Sequence, residues 1–323
     1  MKRVLGLLIV AAMAAPASAQ IVIDGTRDAG YGSALAVQTV NTEFGNSTGG
    51  LTGGGELDAG YATISGGRLY VMLTGNVENN FNKVSVFIDS QAGGENVLNG
   101  ALSYDGGVSS NFGGLTFDAG FEADYHLFGR WGGFTGNTFE VDFVNRAIST
   151  PGNIRGDFGG ASSGAGTAVQ SGSVLGNGNG TTSILTSAIP FGFNNNNSAG
   201  VVGGTGAADV MQALAVTTGV EFSIALADLG NPAPGAQIKI HAVYGNGDNN
   251  YHSNQVLGGL PAGTGNLGGN GSGGFTGTLS GVNFNQFAGD QFFTIQVPNV
   301  PEPATGALAA LAGLALTAIA RRR

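Results

Sequence analysis

Between residues 20 and 300, apolar and polar positions alternate in short runs broken by clusters of Gly, Asn, Ser and Asp. Residues 61–64 and 69–74 flank Ser65-Gly66-Gly67-Arg68, the pattern of a β-hairpin. Residues 83–89 place Val84, Val86 and Ile88 on one face and Lys83, Ser85, Phe87 and Asp89 on the other. Phe139, Val141 and Phe143 oppose Glu140 and Asp142, while Val220, Phe222, Ile224 and Leu226 oppose Glu221, Ser223 and Ala225. Residues 238–244 and 291–297 follow the same rule. One apolar face per strand predicts antiparallel sheets packed face to face, an all-β sandwich with long Gly-rich loops, and not a parallel α/β core. Helical pattern is confined to short turns at 207–215 and 227–229.

The stretch 156–206 breaks the pattern. It is rich in Gly, Ser and Asn, ends near the polar run 194–197, and looks strand-like only at 183–193. Strands of the earlier character resume after it, so it reads as an extended insertion in one body and not as a linker. No repeat of fixed period is present; Asp28-Ala29-Gly30-Tyr31 and Asp58-Ala59-Gly60-Tyr61 recur only as fragments.

The two ends differ from the body. Lys2 and Arg3 precede an apolar run at 4–15 and the small-residue box Ala17-Ser18-Ala19, the layout of a secretory signal. Cleavage after Ala19 leaves Gln20 as the first residue, with residues 1–19 removed by the Sec machinery and signal peptidase. The apolar run is too short for a retained span, which needs about 20 residues. At the other end, Pro301-Glu302-Pro303 is followed by 17 uncharged residues, 304–320, and then Arg321-Arg322-Arg323. That run stands at the lower limit for a single transmembrane helix, and its arginines stay on the cytoplasmic side. Taken alone, it fits a plain C-terminal anchor.

Composition sharpens this picture. Sixty glycines supply turns that need positive φ, and 42% hydrophobic with 10% charged residues is not the composition of a disordered chain. The formal charge is −9. Without Lys2, Arg3, Glu302 and Arg321 to Arg323, the body keeps 7 basic and 20 acidic residues, a net charge of −13. A surface of that sign, with no basic stripe, excludes nucleic acid as a partner. The absence of cysteine removes disulfides, thiolate catalysis and cysteine-held metals.

The order of Pro301-Glu302-Pro303, a short Ala/Leu/Gly run and terminal arginines strongly resembles the PEP-CTERM sorting signal of bacterial exported proteins. The resemblance covers about the last 25 residues. It implies processing near Pro301-Glu302-Pro303 by an exosortase and, by association of that class, a place in the envelope or in extracellular polysaccharide matrix. A second resemblance is spread over the body. Ile23-Asp24-Gly25-Thr26-Arg27-Asp28, Gly67-Arg68-Leu69-Tyr70-Val71, Val86-Phe87-Ile88-Asp89 and Glu221-Phe222-Ser223-Ile224-Ala225-Leu226 look like the successive strands of carbohydrate-binding module family nine and DOMON β-sandwiches. Ala225 and Leu226 stand where those domains have Ile-Pro. The likeness implies a jelly-roll-like sandwich and glycan binding.

Candidate chemistry is sparse. Gly45-Asn46-Ser47-Thr48-Gly49 and Gly160-Ala161-Ser162-Ser163-Gly164 match G-x-S-x-G, but neither has the following helix that a nucleophile elbow requires. His126, His241 and His252 lack zinc-protease spacing, with His241 on a sheet face and His252 in a polar loop. Asp24, Asp28, Asp89, Glu95 and Asp248 carry the oxygens that calcium prefers, without an EF-hand or an aspartate-bearing nonapeptide repeat. No cofactor is expected, a structural calcium ion at a sandwich loop being the one open option. Tyr125 and Trp131, with Arg130, Phe128 and Phe134 nearby, are either a core aromatic cluster or an exposed platform for sugar rings. The reading is an exported, non-catalytic envelope or matrix sandwich that binds extracellular polysaccharide; a secreted glycan-active hydrolase is the alternative, because a carboxylate pair is defined in three dimensions.

Overall fold

The structure is a computed structural model. It describes residues 20–45, 55–132, 138–161, 169–175 and 183–299; the expected signal segment, residues 1–19, and the tail from 300 lie outside the described residues. Thirteen strands appear among the described residues, in two antiparallel sheets. The first sheet contains β1 (Ala36–Val37), β2 (Glu56–Ser65), β3 (Arg68–Asn76), β8 (Val169–Val174), β9 (Ile189–Asn194) and β10 (Gly219–Ala225), in the order β1-β2-β3-β10-β9-β8. The second contains β4 (Lys83–Asp89), β5 (Tyr125–Gly132), β6 (Thr138–Asn145), β7 (Gly156–Ala161), β11 (Gln237–Gly245), β12 (His252–Leu257) and β13 (Phe293–Gln296). Its order is β12-β11-β4-β5-β6-β7, and β13 continues along the β12 side of β11.

The β2–β3 hairpin closes where the alternation predicts. Ser65 pairs with Arg68, leaving Gly66 and Gly67 as a two-residue turn with φ of 56° and 74°. Positive φ at both positions matches the right-handed twist of the strands, and glycine enters it without strain.

The inward faces form one apolar core. Leu69, Val71, Leu73, Phe191, Phe193, Val220, Phe222 and Ile224 of the first sheet meet Val84, Val86, Ile88, Leu127, Phe139, Val141, Phe143, Ile238 and Ile240 of the second. Phe139 stacks on Phe193 across the interface at 4.2 Å. Strands from both sides of 156–206 contribute to this core.

The described parts of 156–206 carry more strand than their composition suggests. They supply β7 to the edge of the second sheet and β8 and β9 to the edge of the first. Glycine in these strands is used for close approach. A Cβ on Gly192 would lie 2.3 Å from the Gly25 nitrogen and 2.5 Å from the Asp24 carbonyl carbon. The N-terminal segment therefore runs directly over β9. Glu221 fixes it there: Oε2 accepts from the backbone N–H groups of Asp24 (2.8 Å) and Gly25 (2.9 Å), and Oε1 accepts from the Tyr31 hydroxyl (2.7 Å).

The one-sided alternation undercounts the second sheet. Every residue of β4 is buried, Lys83, Ser85, Phe87 and Asp89 included. Its outer face is covered by two long connections, 90–124 and 258–292. Leu98, Phe112, Leu115, Phe117 and Phe121 from the first, with Leu260, Leu267, Leu279, Val282 and Phe284 from the second, pack on Phe87, Val243 and Val256. The connections are tied to each other: Thr116 N donates to Val282 O (3.0 Å) and Asn285 Nδ2 to Phe117 O (2.8 Å). Apolar burial on both faces gives this sheet a second core.

Short helical turns complete the fold. Val210–Ala215 forms one α-turn capped by Asp209, whose side chain accepts from the N–H groups of Met211 and Gln212. No helix among the described residues is long and apolar enough to cross a membrane.

Candidate functional site

The aromatic pair Tyr125 and Trp131 sits at odd positions of β5, which face the inter-sheet core. Tyr125 is 1% exposed and stacks on Phe143 at 5.6 Å. Trp131 is half-buried, with its ring edge on Phe193 at 5.4 Å. The pair does not form an exposed platform. Strand alternation directs both rings inward, where they replace aliphatic side chains in the core.

Tyr125 is nevertheless among the residues that line an open recess of about 420 Å³. Its hydroxyl accepts from Gln91 Nε2 at 2.6 Å. Gln91, Asn145, Arg155, Thr186 and Asp228 line this recess with Tyr125. Asp228 Oδ1 accepts from the backbone N–H (2.8 Å) and hydroxyl (2.7 Å) of Thr186, while its Oδ2 and Arg155 Nε have no partner among the described residues. A second recess of about 560 Å³ adjoins the first through Gln91 and Gly230. Asp89, Asn231, Gln237 and Lys239 line it, and Lys239 Nζ pairs with Asp89 Oδ2 at 2.9 Å. Together they form a groove at one end of the sandwich, lined with amides and charges of both signs. Such groups exchange hydrogen bonds with hydroxyl-rich ligands.

The other nominated groups do not converge. Asp24 Oδ1 accepts from Thr26 N and Asp28 Oδ2 from Val22 N, both local turn bonds. Asp89 is held by Lys239, and Glu95 by Arg146, whose guanidinium also donates to the Tyr104 hydroxyl. Asp248 offers its backbone carbonyl to Asn111. Among the described residues no group of three His, Asp or Glu side chains gathers to hold a metal. His126, His241 and His252 are buried in the aromatic layer on the outer face of the second sheet. His252 lies in β12 and not in a polar loop. Burial pushes His126 well below its usual range, His241 down to about 4 and His252 down to about 3. His241 Nδ1 donates to the Gln291 carbonyl at 2.6 Å, consistent with a neutral ring. The serines of the two G-x-S-x-G stretches, Ser47, Ser162 and Ser163, lie outside the described residues, as do Ala17, Ala19, Pro301, Glu302 and Pro303. Gln20, the first described residue, is exposed.

Buried carboxyls set the pH response of the fold. Burial lifts Glu221 to about 7 and Asp124 to about 6, and pushes Glu56 and Asp58 well up. Each binds its proton more tightly folded than unfolded, so its contribution is present at low pH and lost as pH rises through the folded value. The histidines act oppositely: their contribution is present above their ordinary 6.5 and lost as pH falls towards 4 and below. In metal-free buffer the melting temperature of the full chain in detergent is therefore expected to decline from about neutral pH into the alkaline range, as Glu221 and then Glu56 lose their protons. A melting temperature that climbs steadily from about pH 7 to 9 contradicts this balance.

Comparison with curated proteins and with solved structures returns no match, so the body's likeness to carbohydrate-binding module family nine and DOMON domains rests on its short motifs alone. A family model, the PEP-CTERM protein-sorting motif, matches residues 299–323. The chain thus carries at its C-terminus the sorting signal of a protein exported to the cell envelope and processed by an exosortase.

Proposed function

We propose that the body is a non-catalytic protein of the cell envelope or extracellular matrix that binds polysaccharide in the groove at the end of the sandwich. In this reading the Sec machinery exports the chain and signal peptidase cuts after Ala19. The apolar run 304–320 then holds it at the inner membrane until the exosortase acts. The sorting motif at residues 299–323 is the observation that carries the proposal, because it commits the body to the compartment where polysaccharide is laid down. The open groove of Gln91, Asn145, Arg155 and Asp228 supports a binding role. A glycosidase needs two carboxyl groups facing a shared substrate cleft. Here the groove's two carboxyls are engaged, Asp89 by Lys239 and Asp228 by Thr186, which favours binding over hydrolysis.

A glycan array probed with the full chain in detergent tests this. Retention on a subset of extracellular polysaccharides is expected, weakened about tenfold or more by Gln91→Ala or Arg155→Ala, a loss of one or two hydrogen bonds. Release of new reducing ends from the bound glycan would instead support the hydrolase, and no retention on any glycan would leave a purely structural surface protein.

A further inference from the structure

The first sheet buries two acidic side chains at the start of β2. Glu56 is 1% exposed and Asp58 0%, and neither forms an ion pair with any described Lys, Arg or His. The pairing of β2 with β3 shifts register between Leu57 and Ala59, so Asp58 is the extra residue of a bulge. The segment 195–201 closes over the pair. Val201 N donates to Asp58 Oδ1 at 2.8 Å. A Cβ on Gly200, at φ 126°, would lie 2.5 Å from Asp58 Oδ1 and 2.7 Å from Oδ2, so only glycine lets the backbone come this near.

Two features leave this arrangement short of positive charge. Glu56 Oε2 and Asp58 Oδ2 are both buried without a hydrogen-bond partner among the described residues. Asn197 Nδ2 is meanwhile the shared donor for three oxygens: Glu56 Oε1 (3.0 Å), Asn76 Oδ1 (2.9 Å) and the Ala199 carbonyl. An amide nitrogen has two hydrogens, so three acceptors around it are one too many. Burying two carboxylates beside each other without a counter-charge is strongly unfavourable.

We propose that the oxygens of Glu56, Asp58, Asn76, Asn197 and Ala199 form a calcium site. Two carboxylates, two side-chain amides and a backbone carbonyl are the donors calcium takes, and bidentate carboxylates bring the count within its usual range of about 6–8. Rotation of the Asn197 amide replaces its nitrogen by Oδ1 beside the Glu56, Asn76 and Ala199 oxygens, giving up the bond that Oδ1 accepts from Ala199 N at 3.0 Å. Magnesium fits poorly, since it demands a near-octahedral shell and gives up water reluctantly. A recess of about 390 Å³ lies on the solvent side of the same segment, lined by Asn41, Ser198, Ala199, Gly200 and Asp209, and the strongly acidic body draws cations towards it. The ion would bind the 195–201 segment to the β2–β3 hairpin.

Thermal melts and calorimetric titration of the full chain in detergent test the site. After EDTA treatment, calcium at about 5 mM is expected to raise the melting temperature by roughly 5 °C with one ion bound per chain, and magnesium far less. The double substitution Glu56→Gln and Asp58→Asn keeps the shape, removes the repulsion, and should abolish the calcium response while folding in EDTA at least as well as the parent. Asp248→Asn should leave the response intact. Asn197→Asp separates a metal ligand from a plain hydrogen-bonding role: it should lower the melting temperature in EDTA yet tighten calcium about tenfold. No calcium response in the parent overturns the proposal and leaves a carboxyl pair that shares a proton. A response equally strong in the double variant, or equally strong with magnesium, overturns it as well.

Discussion

Replacing Glu302 with Ala in the native host is expected to stop processing outright, leaving the full precursor in the membrane fraction. Proline fixes its own φ, lacks a backbone donor and disfavours helix in the residue before it, so the sequence Pro301-Glu302-Pro303 favours an extended segment. Glu302 is then the one charged side chain presented between body and tail. In the proposed reading the 17 uncharged residues after Pro303 would hold the chain in the bilayer, and Arg321 to Arg323 would resist translocation. Truncation after Val300 should release the body into the medium without any membrane stage. Fractionation and gel mobility of the three forms separate the alternatives. If the Glu302→Ala chain is cut at the same place as the parent, the sorting reading of this residue is wrong and 304–323 acts as a tail anchor.

Phe87→Ala is expected to be the most damaging single change in the body, at about 3–5 kcal/mol. Phe87 faces outward from β4, where a simple two-layer sandwich would present it to water. It is instead fully buried, stacked on His126 at 4.2 Å and edge-on to Phe112 (5.4 Å) and Phe117 (5.1 Å). Removing it opens a cavity beneath 90–124 and 258–292 together, because both connections pack on that face. For a chain of this size the melting temperature should drop by roughly 10 °C. Amide hydrogen exchange should accelerate first in those two connections and only later in β3, β9 and β10. A loss below about 1 kcal/mol would mean that the long connections are mobile loops and not a packed third layer.

What was legible in the sequence follows from how many faces of each strand are buried. β4 occupies the residues that the alternation predicts, β2, β3 and β11 contain their predicted runs, and β10 covers its run as far as Ala225, with Leu226 opening a short helical turn. Each has an aliphatic set on one face and mixed residues on the other. β5 went unrecognised because both its faces are covered: His126, Phe128 and Arg130 on the outside interrupt the period-two signal of Tyr125, Leu127 and Trp131. β12 hides for the opposite reason. Ser253, Asn254 and Gln255 read as loop, yet all three are buried. Ser253 Oγ donates to the Tyr244 carbonyl (2.5 Å), and Asn254 Nδ2 to those of Asn41 (2.8 Å) and Thr264 (3.0 Å), so these side chains satisfy the neighbouring backbone. β7 and β8 are glycine- and serine-rich edge strands with too few apolar side chains to show a period.

The same distinction governs the site. Residue type suggested a sugar platform at Tyr125 and Trp131, but only strand register decides whether a ring faces core or solvent. The carboxyl pair Glu56 and Asp58 carried a faint signal, two acids two residues apart at the head of a strand with apolar Leu57 between them. Asn195, Asn197 and Gly200, far away in sequence, complete its surroundings, and no local pattern connects them. Glu221 is the clearer case: the Ile23-Asp24-Gly25 and Glu221-Phe222-Ser223-Ile224 motifs co-occur, and the structure joins them through the hydrogen bonds of Glu221 to Asp24 and Gly25.

The central claim is that this body is exported and parted from its tail by the enzyme that reads residues 299–323. The intact mass of the protein recovered from the envelope and medium of its own host tests that most directly. The account predicts a chain that begins at Gln20 and ends beside Pro301-Glu302-Pro303, without Arg321 to Arg323. A mature protein that still ends at Arg323 would contradict it.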